Sequence, residues 1–442
     1  MKKHVILLVG LILVSTIFCL SASALEGKNG PYSYEVKKNG DLKITAFDWD
    51  LYGNEDVYIP KMIDGYSVTE IGDSAFTGKN SKEVAVIIPD TIVSIGEKAF
   101  FETSITTMHI PASVLSVGDG AFAGCKNIRQ FSVDSSNSRY AQINGVLYNK
   151  VEKELVAYPH IEHAVNDDFS IPEGIVSIAP YAFYQCTAHI ISEPSSLKSI
   201  GHHAFYAARI IGFGGIDRAI NISSASQIGE SAFEQCECNY SPRTGFESII
   251  ISKADVIPNR CFMGVDLGRH KGKIDTHIGI NLPQSLKSIG DYAFASCDGI
   301  DNLTIPSSTE SIGKYAFSED YFYNLIFEND SLLKIIDDNA FMNSYFGKDM
   351  RSLELPEGIE TVGKEAFYCD SGELIQLNFP TSVKSIGENV CDRRRVNISA
   401  EEGSYAYFWA IENGYTVSRP DDDTWLTEST EEGEADTSWL KN

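Results

Sequence analysis

Residues Leu303 to Phe317 read LTIPSSTESIGKYAF: a short alternating apolar run, a proline, and then the hexamer IGKYAF. The hexamer recurs along the chain as IGDSAF from Ile71, IGEKAF from Ile95, VGDGAF from Val117, IAPYAF from Ile178, IGHHAF from Ile200 and IGESAF from Ile228. It continues as IPNRCF from Ile257, IGDYAF from Ile289, IDDNAF from Ile336, VGKEAF from Val362 and IGENVC from Ile386. Phe closes eleven of these twelve frames although the chain has only 23 phenylalanines in 442 residues, so the recurrence is not chance. Gly holds the second position except at Ala179, Pro258 and Asp337. Upstream, a proline stands seven residues before that position in eight frames: Pro89, Pro111, Pro172, Pro194, Pro283, Pro306, Pro356 and Pro380.

Alternating apolar runs precede most of these prolines, for example Ile300, Leu303 and Ile305, or Leu374, Leu377 and Phe379. Each unit therefore reads as one short strand, ended where proline removes the ladder donor, then a tight turn at Gly, then a turn that packs Ala and Phe inward. Successive Phe anchors are mostly 22 to 29 residues apart. A unit of that size cannot bury its own apolar face, so stacked neighbours must, and the array grows in one dimension without needing a second core.

LTIPSSTESIGKYAF and LNFPTSVKSIG, from Leu377, resemble leucine-rich repeats of the BspA-like type, and the resemblance runs from about Tyr34 to about Val417. It implies a right-handed leucine-rich repeat solenoid with short parallel strands on the concave face and tight turns and short helical turns on the convex side, a β-rich α/β repeat class. It further implies a secreted or cell-surface protein that binds rather than catalyses. An Asn ladder after the strand is missing, as expected of this subclass.

The ends read differently. Lys2 and Lys3, the apolar run from Val5 to Leu20 and Ala22-Ser23-Ala24 form the pattern of a secretory signal peptide over residues 1–24, cut before Leu25. The alternatives are a membrane anchor and a lipoprotein signal through Cys19, the latter weakened by Phe18 where a small residue belongs. Residues 25–60 are expected to form an N-terminal hairpin cap turning at Asn39-Gly40, residues 61–396 the solenoid, and residues 397–417 a C-terminal cap of one short helix and a final strand. Residues 418–442 carry eight acids and two bases with no periodicity and are expected to be a disordered acidic tail. Between Phe122 and Phe183 the Phe spacing widens to 61 residues, and a hairpin insertion is expected at about 143–159, either a binding element or a structural one. The Gly-rich stretch from Cys236 to Lys273 has weak frames.

Lys+Arg is 36 against Asp+Glu 61, a net charge of -25, which argues against nucleic acid and anionic membranes as partners. No segment after the leader is apolar enough to span a membrane. Of the nine cysteines, Cys125, Cys186, Cys236 and Cys297 stand three residues after a frame Phe, Cys369 stands two after, and Cys261 and Cys391 replace the frame Ala and Phe. These positions call for small inward side chains, so buried free thiols are expected. Cys238 falls outside the frame, which leaves Cys236, Cys238 and Cys261 as the one grouping for a disulfide or metal. His160, His163, Asp167 and Asp168 follow Pro159 in a loop and are read as surface residues, not a metal site; Asp421 to Asp423 are read as solvated, not as a calcium loop. No HExxH, GxSxG or P-loop string occurs, and GFGGID from Gly212 lacks the context of a dinucleotide site. No catalytic residue, metal or cofactor is therefore assigned.

The candidate ligand surface is geometric. The residue just before the last inward apolar one of each strand should point outward on the concave face: His109, Ser132, Ser170, Asn281, Thr304, Ile326, Glu354 and Asn378. Mostly uncharged polar groups suit hydrogen bonding to an extracellular protein or a glycan. Two alternatives compete with adhesion or host binding. One is an unmarked carboxylate enzyme site near 143–159 or 236–273, and the other is a self-associating structural surface component.

Overall fold

The computed structural model describes residues 25–53, 55–78, 83–160, 168–214, 219–237, 248–266, 279–297, 300, 302–347, 350–369 and 376–419. Residues 1–24, where a leader is expected, and residues 420–442, most of the expected tail, lie outside them. Each turn of the chain lays down two parallel strands. One ends near the proline, as in Asn302–Ile305, and pairs in register with the next turn, Thr304 facing Ile326. The other is a two-residue strand that opens the hexamer, as in Ser311–Ile312, which pairs with Ser288–Ile289 on one side and Ile335–Ile336 on the other. These pairings build a β-solenoid. Among the described residues only Trp49–Tyr52 and Tyr405–Glu412 are helices, and none is long and apolar enough to cross a membrane.

The third side of each turn is the rest of the hexamer, and it corrects two expectations. It is not helical: the fourth hexamer residue lies in the left-handed region in all twelve frames, among them Ser74 at φ 54°, Tyr181 at 60° and Glu365 at 53°. A helix cannot continue through such a residue. Nor does the frame Gly make the turn, because no frame glycine at the second position has positive φ. Gly is required there by close approach: a Cβ on Gly229 would lie 2.3 Å from the His202 backbone N, and one on Gly363 2.3 Å from that of Asp338. Successive turns stack so tightly that each backbone rests on the one before. Gly229→Ala is therefore expected to cost about 1–3 kcal/mol, since backbone must shift to admit the methyl. Gly279→Ala, whose nearest neighbour would be the Asn302 carbonyl at 3.5 Å, should be nearly neutral. Urea titration of both variants measures this, and equal losses would contradict it.

The hexamer side is laddered by backbone hydrogen bonds from the Phe N–H to the carbonyl of the residue at the Ala position of the next frame, 2.7 Å for Phe205 to Ala232, 2.8 Å for Phe233 to Cys261 and 2.8 Å for Phe317 to Ala340. That ladder sets the Phe rings one above another. Phe183, Phe205, Phe233, Phe262, Phe294, Phe317, Phe341 and Phe367 stack at centroid distances of 4.7 to 5.4 Å. All are buried, each worth roughly 2–3 kcal/mol relative to exposure.

Two further turns join this column without a full frame. Ile44-Thr45-Ala46-Phe47 and Leu155-Val156-Ala157-Tyr158 are shortened versions that skip the left-handed residue. Phe47 donates to Ala75 at 2.7 Å and Tyr158 to Ala182 at 2.8 Å, and their rings stack on Phe76 and Phe183, both at 4.7 Å. Both follow the same local build. The strands Leu25–Asn29, Tyr32–Val36 and Asp41–Phe47 run antiparallel before the sheet turns parallel at Tyr66–Ile71. The strands Tyr140–Ile143, Val146–Asn149 and Glu154–Ala157 do the same before Ser177–Ile178. The segment around 143–159 thus repeats the arrangement of the first strands. The apolar core divides there as well, one cluster running from Tyr32 to Ala157 and the other from Val146 to Tyr415. A fragment starting at residue 136 should therefore fold, with cooperative thermal unfolding and a circular dichroism spectrum of β type; a fragment starting at residue 190, which lacks this hairpin, should not.

At the far end Ser404 caps the helix Tyr405–Glu412 by accepting from Tyr407 N, Ala406 and Ala410 face the core, and Val417–Ser418 adds to the last sheet.

Candidate ligand-binding face

The proline-terminated strands bury alternate residues, and the ones between point outward. His109 is exposed between buried Met108 and Ile110, and Thr304 between buried Leu303 and Ile305. Ser132, Ser170, Asn281 and Glu354 are exposed and Asn378 is half-buried. The structure brings these residues together in groups. His109 faces Ser132, with the ring Nδ1 3.0 Å from the hydroxyl. Glu354 faces Asn378, whose amide donates to the carboxylate and accepts from Gln376 Nε2 at 2.7 Å. Asn281 faces Ile250, and Thr304 faces Ile326. Ser170 stands apart, facing Ser192 in the first strand of the eight-stranded sheet. The row is spread over three sheets, Met108–Ile110 with Phe131–Val133, the eight-stranded sheet from Asp168–Ser170, and the sheet from Ser352–Glu354.

Several members of the row were not picked out in the sequence. Tyr58 and Ile87 occupy it, each just before an inward Ile and a Pro, and face one another in register. Both are exposed, Tyr58 by 65%. The Tyr58-Ile59-Pro60 signal was present, but Pro60 lies further from its hexamer because the antiparallel pair Met62–Ile63 and Tyr66–Ile71 intervenes. Asn221 and Ile250 extend the row before Asn281; beyond Asn378 the register continues through Ser399, which is buried, to Ser418. None of these four precedes an apolar residue followed by proline, so the pattern could not mark them.

Two shallow depressions lie on this face. One, lined by residues including Thr106, Thr107, Gln130 and Ser132, measures about 590 Å³. The other, about 480 Å³, opens around Gly279. A cavity of only about 20 Å³ sits inside the solenoid between Phe122 and Tyr158, where the ring column is interrupted, room for a single water. Outside it, Tyr181 reaches back across Gly120 to Lys98, whose ammonium lies 4.6 Å from the ring centre.

The thiols have a structural use. Cys125, Cys186, Cys236 and Cys297 donate to the ring-bearing carbonyl of the turn before, at Phe100, Tyr158, Phe205 and Phe262, over 3.0, 3.5, 2.9 and 3.0 Å. Ser344 does the same to Phe317 at 2.6 Å, while Ala208 and Val265 fill the same position with no side-chain donor. Cys236 and Cys261 are free and buried; Cys238 lies outside the described residues. Burial pushes the Cys125 and Cys186 thiols up to about 12. Native protein should therefore be inert to a thiol reagent at pH 8 at these positions and react at all of them once denatured, with mass spectrometry reading each site.

Among the described residues no group of three His, Cys, Asp or Glu could hold a metal. His163 and Asp167 lie outside them, while Asp168 accepts a hydrogen bond from His189 Nδ1 at 2.9 Å.

The BspA type leucine rich repeat region matches this chain in six copies over residues 54–149, 163–271 and 273–395. The chain belongs to that family. BspA-type repeat proteins are bacterial surface proteins. A leucine-rich repeat protein of Eubacterium ventriosum is similar over 66% of this chain and 93% of its own, at 19% identity and a TM-score of 0.45. A leucine rich cell surface protein of Faecalibacterium prausnitzii is similar over 89% of this chain and 99% of its own, at 20% identity and 0.41. A leucine-rich repeat protein from Bacteroides ovatus is similar over 89% of this chain and 99% of its own, at 19% identity and 0.31. No curated protein matches. In BspA-type terms, the match begins at residue 54, after the shortened turn that ends at Phe47.

Proposed function

We propose that this protein is secreted or displayed at the cell surface and binds an extracellular protein or glycan through the outward row of its proline-terminated strands, in adhesion or host interaction. The observation that carries the reading is the character of that row. In a chain with net charge -25, Asn281 and Thr304 on adjacent strands, and Ser132 and Asn378 on other sheets of the same face, turn uncharged hydrogen-bonding groups outward. Exposed Tyr58, Ile87 and Ile326 supply apolar contact within it. The leader pattern of residues 1–24 and the surface habit of the family support export. A right-handed coil is the sense such parallel crossovers take in nearly all proteins.

The test is a binding screen of the mature chain against extracellular matrix proteins and glycans, repeated with the variant Asn281→Ala, Thr304→Ala, Asn378→Ala. Affinity for the captured ligand should fall by about tenfold or more. Unchanged affinity in a folded triple variant would move recognition off this face.

A further inference from the structure

The depression around Gly279 has a lining that narrows what it takes. It is formed by Ser248, Asn281, Gln284, Asn302, Thr304 and Glu328. Gly279 faces Ser248 on one side and Asn302 on the other, in the outward row adjacent to that of Asn281. Glycine weakens a strand, and here neither conformation nor packing demands it: φ is not positive and a Cβ would find 3.5 Å of clearance. Its effect is to leave the floor of the groove without a side chain.

The polar groups around that floor are available. Ser248, Asn281 and Thr304 make no side-chain hydrogen bond to another described residue, whereas Asn302 accepts from Asn324 Nδ2 at 2.8 Å. Glu328 stands where its neighbours carry Pro283 and Pro306, and its carboxylate is fixed by Gln284 Nε2 and the Ser307 N–H, both at 2.9 Å. Across the strands the second row reads Ile250, Asn281, Thr304, Ile326, with Ile250 half-buried and Ile326 exposed. At about 4.8 Å per strand, the two isoleucines bracket the polar pair over roughly 14 Å.

We propose that this groove binds a neutral, extended carbohydrate chain lying across the strands, an inference that rests on the recognition role given to this face. Sugar hydroxyls both donate and accept, as amides and hydroxyls on the protein do. The C–H faces of the rings have Ile250 and Ile326 to cover. The strand spacing is close to the length of one pyranose unit, so successive units meet successive strands. A peptide cannot join this surface as an added strand, because the backbone groups of these central strands are already paired. Anionic chains meet Glu328 and an acidic body, which repel them.

Titration calorimetry of the mature chain with β-linked tetramers to hexamers of glucose, mannose and N-acetylglucosamine, alongside a sulfated oligosaccharide, tests this. At least one neutral series should bind saturably, more tightly as length approaches the span of the groove, and the sulfated chain should not compete. Gly279→Leu, which fills the floor, and Asn281→Ala should each weaken binding by about tenfold, while Glu230→Ala on the hexamer side leaves it unchanged. Absence of binding by every neutral oligosaccharide, preference for the sulfated one, or full binding by both groove variants would overturn the proposal. If a protein ligand is then captured on this face and lost in the triple variant, the carbohydrate assignment fails and the recognition role stands; if neither is seen, both fail.

Discussion

Phe233→Ala is expected to lower stability by about 3–5 kcal/mol, the range for emptying a buried phenylalanine site. The ring is fully buried and stacked on Phe205 at 4.8 Å and on Phe262 at 5.4 Å, so the cavity would open between two rings whose positions are fixed by backbone ladders. The surrounding turns cannot collapse into it, because the glycines at 229 and 290 already hold them at contact distance. In a one-dimensional array the damage should also stay local. Hydrogen exchange should accelerate in the turns holding Phe205 and Phe262 and stay unchanged in Asp41–Phe47, on the far side of the divided core. Uniform acceleration along the whole chain would show that the stack is not built of neighbour contacts. Tyr158→Ala should cost a similar amount, because Tyr158 fills the same place under Phe183.

The second large effect is with pH. Burial raises the thiols of Cys125 and Cys186 to about 12 and pushes those of Cys236, Cys261, Cys297 and Cys391 up as well. In the unfolded chain each ionises near pH 8.5. The folded state therefore holds protons that the unfolded state gives up, so the stabilisation is complete below about pH 8.5 and is lost as pH rises from there toward 12. Each such thiol contributes a slope of about 1.4 kcal/mol per pH unit in that window, and several acting together are large against the whole stability of a domain. Denaturant titrations should show little change from pH 6 to 8 and a steep fall above pH 9. Replacing Cys236 and Cys297 by alanine should flatten that fall while lowering stability at pH 7, since two buried hydrogen bonds are lost. A flat profile to pH 10.5 would contradict the burial of the thiols. Buried tyrosines such as Tyr32 and Tyr148 are raised in the same direction and act at still higher pH.

The architecture was legible because the hexamer carries a burial pattern that tolerates no drift: Ile, Ala and Phe face inward at every turn. The reason for the glycine was not legible, since a close approach between residues 229 and 202 is invisible along the chain, and glycine in a turn suggests positive φ by default. The left-handed position escaped notice for the opposite reason. It is filled by Ser, Lys, Tyr, His, Arg, Asn and Glu, with Gly only at Gly120, so composition gives no sign of it. The shortened turns at Phe47 and Tyr158 were missed because they are two residues shorter than the hexamer and lack its Gly. On the candidate face, the rule that reads one residue back from Ile-Pro found His109 and Thr304 but passed over Asn221, Ile250 and Ser399, whose strands end without that proline. Gly279 has no side chain to signal a groove. Only the pairing of its strand with those of Ser248 and Asn302 reveals one.

Site-selective blocking tests the central claim, recognition through the outward row, most directly. In a Cys238→Ser background the described thiols are buried, so a cysteine introduced by Thr304→Cys on the row, or by Glu230→Cys on the hexamer side, can be labelled alone with a bulky maleimide. Binding of the captured extracellular ligand, measured before and after labelling, should be abolished by the adduct at 304 and untouched by the adduct at 230. Loss at 230 with full binding at 304 would contradict the account.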